Sequence, residues 1–242
     1  MNLLRPILLA LALAMASAGW THAAEPATSP DPAPTATAVT EAAPTPPADP
    51  VQTGLAAIQR RWAEIQYQTP ARQRAAAFEA LAAEAERFKQ AHPGRAEPLI
   101  WEGIVLSTWA GAKGGLSALG LCKDARADFE AALKLDPQAL QGSAYTSLGS
   151  LYYQVPGWPI GFGDDERAEE LLKQALAIAP DSIDASYFYG DYLIDQGRYA
   201  EAVEVLTHAQ AAPPRPGREL ADQGRQQEIA DKLALARAKV RS

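Results

Sequence analysis

Between residues 51 and 240 the apolar positions recur at intervals of three and four, the period of one buried helix face. Gln52 to Tyr67 places Leu55, Ile58, Trp62 and Ile65 on one side, and Ala71 to Gln90 reads as the next helix. Near the other end, Arg218 to Val240 carries Leu220, Ile229, Leu233 and Val240. The most regular stretch is Asp181–Pro214, where Gly190 is followed by Leu193, Gly197, Tyr199, Ala202, Leu206, Ala209 and Pro214. Gly190, Ala202 and Ala209 are small enough to let two helices approach closely, with Leu206 filling the space between them. Gly197 suits a left-handed turn ending the first helix, and Pro214 cannot continue the hydrogen-bond ladder of the second.

The same intervals recur upstream. Pro180, Ala175, Leu172 and Ala168 repeat the spacing of Pro214, Ala209, Leu206 and Ala202, and Pro137, Ala132, Phe129 and Ala125 repeat it again. Gly149 and Gly103 stand where Gly190 stands, and Pro93 closes a more divergent first unit. These offsets resemble the tetratricopeptide repeat, a 34-residue helix–turn–helix unit. The resemblance implies an all-α, right-handed superhelical solenoid of antiparallel helix pairs. Its repeats span residues 51–93, 94–137, 138–180 and 181–214, and a capping helix covers 218–240, polar on its outer side.

Measured against the regular unit, two turns are too long. Gly149 to Ala168 exceeds Gly190 to Ala202 by seven residues, and Gly103 to Ala125 exceeds it by ten. The inserts read AGAKGGLSALGLC and QVPGWPIGFGDDE. Both are expected to be loops lying side by side on one edge. Surface loops are ordinarily polar, so Leu116 and Leu119 in one and Trp158, Ile160 and Phe162 in the other call for a surface to cover them. Either they pad the helix ends or they form a binding patch anchored by aromatics. Neither insert has the spacing of a phosphate-binding loop, and Asp164 is placed to cap a helix.

In tetratricopeptide proteins the first helix of each pair lines an inner groove. By that resemblance Tyr153, Tyr187, Asp184, Asp191 and Asp195 face the groove, acidic at one end and bordered by Ser, Thr and Tyr in the middle. The family's lysine and asparagine carboxylate clamp is missing from these positions. A protein or peptide partner is expected, with a small polar ligand and a second copy of this chain as alternatives.

The amino terminus reads differently. Arg5, the apolar run Ile7–Ala18 and Thr21-His22-Ala23 form a signal-peptide pattern over residues 1–23. Residues 24–50 are a Pro/Ala/Thr-rich linker, too poor in apolar residues to fold. The expectation is export to the periplasm or beyond by a cleavable signal, and not a lipoprotein, since no cysteine follows the apolar run. Of the 29 acids and 22 bases, the linker holds four acids and the leader one base, leaving 25 and 21 for the repeat region. An acidic chain of this kind lacks the basic stripe of a nucleic-acid binder. Cys122 is the single cysteine, so no internal disulfide forms and the thiol is expected to be buried and inert. The histidines have no spaced partners, so no metal, cofactor or catalytic constellation is expected. GW-P-I-GFGDDE ahead of AEELLKQAL also resembles the periplasmic T-component-like (TatT-like) proteins of TRAP transporters over residues 95–212, which implies a role as a substrate-binding accessory.

Overall fold

A computed structural model describes residues 49–241. The signal-peptide and linker readings lie outside the described residues, apart from the last two linker positions. Nine α-helices follow in order among the described residues: α1 Pro50–Gln68, α2 Ala71–Ala91, α3 Ala96–Lys113, α4 Leu119–Leu135, α5 Ala139–Gln154, α6 Asp165–Ile178, α7 Ile183–Asp195, α8 Tyr199–Gln210 and α9 Glu219–Val240. Three of their starts carry side-chain caps, among them the one expected at Asp164. The Asp49 carboxylate accepts from Val51 N ahead of a proline in the first turn, the Asp164 carboxylate from Arg167 N, and Ser182 Oγ from Ala185 N. At the end of α7, Gly197 has φ +73°, and Arg198 N and Gly197 N donate to Leu193 O and Ile194 O, the paired closure of a left-handed cap.

Consecutive helices pack in pairs, α1 on α2 through α7 on α8, and the first helices α1, α3, α5 and α7 touch one another in series. The close approach within each pair depends on glycine. A Cβ built on Gly190 would lie 2.5 Å from Leu206, one on Gly149 2.8 Å from Leu172, and one on Gly103 2.6 Å from Phe129. Ala202, Ala209, Ala168, Ala175, Ala125 and Ala132 on the opposing helices are completely buried. Gly54 meets Phe88 in the same manner in the first pair, where longer helices put the two partners further apart in sequence. Lys89 Nζ sits 2.9 Å from both Glu102 and Asp128, tying α2 to α3 and α4. Burial pushes both carboxyls up, and the ammonium between them opposes it.

The first insert is not a loop. Its Ala-Gly-Ala-Lys start prolongs α3 to Lys113, and Gly114 and Gly115, both at positive φ, then break the helix before a 3-10 turn at Leu116–Ala118. α4 takes the remainder and buries Cys122, where desolvation raises the thiol pKa away from reactivity. The second insert is irregular, with an isolated bridge between Gly157 and Gly163.

The entry to α5 is the one place, among the described residues, where bulky residues take the left-handed conformation. Leu140 and Gln141 have φ of 49° and 58°, followed by Gly142 at 73°. Such a conformation costs a side-chain-bearing residue about 1–2 kcal/mol. Gln141→Gly should therefore raise stability by up to about 1 kcal/mol, glycine's larger unfolded-state entropy offsetting part of the relief. Gly190→Ala should lower it by about 1–3 kcal/mol through overpacking against Leu206. Urea denaturation of the two variants checks both signs.

Candidate functional site

The groove face formed by α1, α3, α5 and α7 is crossed by the chain's own last helix. α9 packs along α8, touches α7, and reaches α1 at the far end of the array. Gly224 permits that crossing, because any Cβ there would run into the Tyr67 ring of α1.

Charge holds α9 in place. Arg225 is 8% exposed; its Nε donates to Asp184 Oδ1 at 2.8 Å, its Nη1 donates to Glu228, and its guanidinium lies 4.2 Å from the Tyr187 ring centroid. Arg215, in the turn before α9, donates to Asp184 Oδ2 at 2.7 Å and forks onto Asp222. Lys232 Nζ pairs with Asp191, whose other oxygen accepts from the Tyr153 hydroxyl at 2.9 Å. Burial works against the Asp184 carboxylate, but Arg225 and Arg215 outweigh it and hold its pKa well below the usual carboxylate range.

Of the five groove residues read from the sequence, four are thus brought together under α9. Tyr153 and Tyr187 are buried, and Asp184 and Asp191 each pair with a cation of the C-terminal segment. Asp195, at the end of α7, is exposed and accepts a hydrogen bond from Gln196. The basic segment that the acidic groove calls for is supplied within the chain.

Between the groove wall and α9 remains a chamber of about 280 Å³. Trp62, Trp101 and Phe188 give it flat apolar surfaces, and Arg218 lies over the Trp101 ring at 5.2 Å.

The residues of the second insert, Val155 to Asp164, form the other candidate. Asp164 N donates to Tyr152 O at 2.9 Å and Gly163 N to Pro156 O at 3.0 Å, fixing the ends of the loop. Phe162 packs edge-on against Tyr152 at 5.7 Å and beneath the Arg126 guanidinium at 4.9 Å. Trp158 is 90% exposed and Ile160 48%. Leu116 is exposed as well, whereas Leu119 packs against the core. The patch therefore divides: Phe162 and Leu119 brace the frame, while Trp158, Ile160 and Leu116 face outward. An open cleft of about 400 Å³ lies between the loop and α4, bordered by Lys123, Arg126 and Glu130.

With this geometry in view, residues 160–221 match the tetratricopeptide-repeat family model. The helix array is of the tetratricopeptide-repeat type. TTC0263, a thermophilic tetratricopeptide protein of Thermus thermophilus, matches with a TM-score of 0.52 at 21% identity, over 78% of this chain and 91% of that one. MamA of Desulfovibrio magneticus RS-1 matches with a TM-score of 0.41 at 17% identity, over 77% and 96%. YrrB, described as a tetratricopeptide protein with an unusual peptide-binding site, matches at 0.39 and 15% identity, over 79% and 92%. At 21% identity the likeness to TTC0263 is one of fold. No curated protein matches the sequence.

Sequence reasoning missed the cations that close the tetratricopeptide groove. A signal was present: Arg225 and Lys232, seven residues apart, share one side of α9 and pair with Asp184 and Asp191 of α7.

Arg225→Met leaves Asp184 its Arg215 partner, so it should lose about 1–3 kcal/mol of stability in chemical denaturation. Because the Asp184 pKa is depressed, its contribution is complete above the unfolded value near pH 4 and drains away only below it. Between pH 7 and pH 5 the Asp184 contribution should stay constant, and part of the acid-induced loss should be absent in Arg225→Met.

Proposed function

We propose that this chain is an exported, non-catalytic scaffold that takes a protein partner on the edge displaying Trp158. The observation that carries the reading is a 90%-exposed tryptophan on a loop whose neighbouring Phe162 is anchored. A large aromatic held in water on a braced support has the character of an interface anchor, where tryptophan is enriched among the residues that dominate binding energy. The groove, which in an open array would take an extended peptide, is engaged by α9, and that favours the edge over the groove for a large partner. Export to the periplasm is supported by the signal-peptide pattern of residues 1–23.

A second reading is a T-component-like accessory that takes a small ligand in the cleft beside the loop. It is favoured by the pairing of Lys123 and Arg126 with the apolar wall of Ile160 and Phe162.

Trp158→Ala should leave the melting temperature within about 2 °C of the wild type, since the side chain buries little. In affinity capture from the cell envelope it should lose the partner, while Leu235→Ala, at another exposed apolar position, should keep it. Equal capture by the two variants refutes the edge reading. A small molecule that binds wild type and is lost with Arg126→Ala would favour the accessory.

A further inference from the structure

The chamber beneath α9 holds an arginine that no acid contacts among the described residues. Arg215 is engaged with Asp184 and Asp222, and Arg225 with Asp184 and Glu228. Arg218, between them in sequence, forms no ion pair among the described residues, and its Nε is buried with no acceptor. Its one close aromatic contact among the described residues is the Trp101 face. We propose that the chamber is a binding site for a small organic carboxylate bearing a hydroxyl or amino group and an apolar body, with Arg218 receiving the carboxylate. The inference is independent of the edge on which the protein partner docks.

Three features fix the ligand class. A guanidinium presents a planar fork of donors that matches a carboxylate, and a buried donor without an acceptor is what such an anion completes. Burial bears most strongly against the Arg218 cation and Arg215 and Arg225 add to it, while Asp184 and Asp222 oppose them only in part, so its pKa is lowered and an arriving negative charge is favoured. The chamber, at about 280 Å³, lies just below the usual range of small-molecule sites and suits a small ligand.

The opposite wall selects the other groups. Ser107 and Thr108 donate their hydroxyl protons to Ile104 O, Ser143 donates to Leu140 O and Ser150 to Ser147 O. Ser107, Ser143 and Ser150 then offer the chamber lone pairs and no proton, while Thr108 Oγ1 also accepts from Trp62 Nε1 at 3.0 Å and keeps one lone pair, so the complementary ligand carries donors of its own. Trp62, Trp101 and Phe188 provide the faces for its apolar part.

The same chemistry has two sources, a free small acid or the carboxy terminus of a peptide. Isothermal titration of the full exported chain with phenyllactate, phenylalanine and Gly-Gly-Phe, each as the acid and as the amide, separates them. At least one acid should bind with Kd below about 1 mM and its amide at least about tenfold more weakly, a difference of about 1.4 kcal/mol. A tripeptide acid binding more tightly than the single acids assigns the site to chain termini, and the reverse order to free acids. Arg218→Met should abolish the preference for acid over amide. Arg218→Lys keeps a charge and an aliphatic stem over Trp101, and should fold and weaken the preference rather than remove it. The proposal fails if acid and amide bind alike, if no acid binds at about 5 mM, or if both Arg218 variants retain the wild-type preference.

Discussion

Everything on the inner side of this molecule depends on a guanidinium that has left water. Arg225 is buried, and an isolated cation in that position would be intolerable. It is held by Asp184 on one side, Glu228 on another and the Tyr187 ring across its face. Those contacts come from α7 and from α9 itself, so satisfying one charge forces two elements into register. A hydrophobic seam alone would let α9 slide along α8. A directional pair set against a ring does not.

That constraint explains why the groove differs from an open trough. With α9 anchored at α7 and extending to α1, the space between the first helices becomes a chamber with a roof. The three arginines near its mouth then have unequal circumstances: two are in contact with neighbouring acids and the third is not. The repeat architecture gives the walls, and the segment after the last repeat decides what the walls enclose. A domain boundary drawn at Pro214 would leave out the residues that make the interior chemically distinctive.

The fold was largely legible because it rests on sterics repeated at fixed offsets. Gly103, Gly149 and Gly190 each announce a large residue on the opposing helix, and the alanine–large–alanine pattern on that helix is periodic enough to be read without coordinates. The Gly54–Phe88 contact obeys the same rule but escaped the spacing, since α1 and α2 are longer. Four of the five residues chosen with the same ruler lie under α9, yet their pairing was not legible, because an aspartate's partner is a matter of three-dimensional return. Nothing local to Asp184 indicates that Arg215 and Arg225 come back to it. Composition also misled at the first insert: glycine and leucine read as loop, whereas alanines on either side were enough to extend helices from both ends. In the second insert, by contrast, the clustering of Gly and Pro left no route but an irregular chain, and Trp158 ended outside it.

The crossing of α9 has a mechanical meaning. An array in which each unit touches only its neighbours is a spring, soft to stretching and twisting, and its ends fray independently. Joining the last helix to the first turns that spring into a braced frame, whose softest motion is suppressed by a tie across the opening. Loops on the rim of such a frame keep a constant spacing. A partner meeting them loses little free energy to immobilising the host, so a modest contact can suffice for recognition.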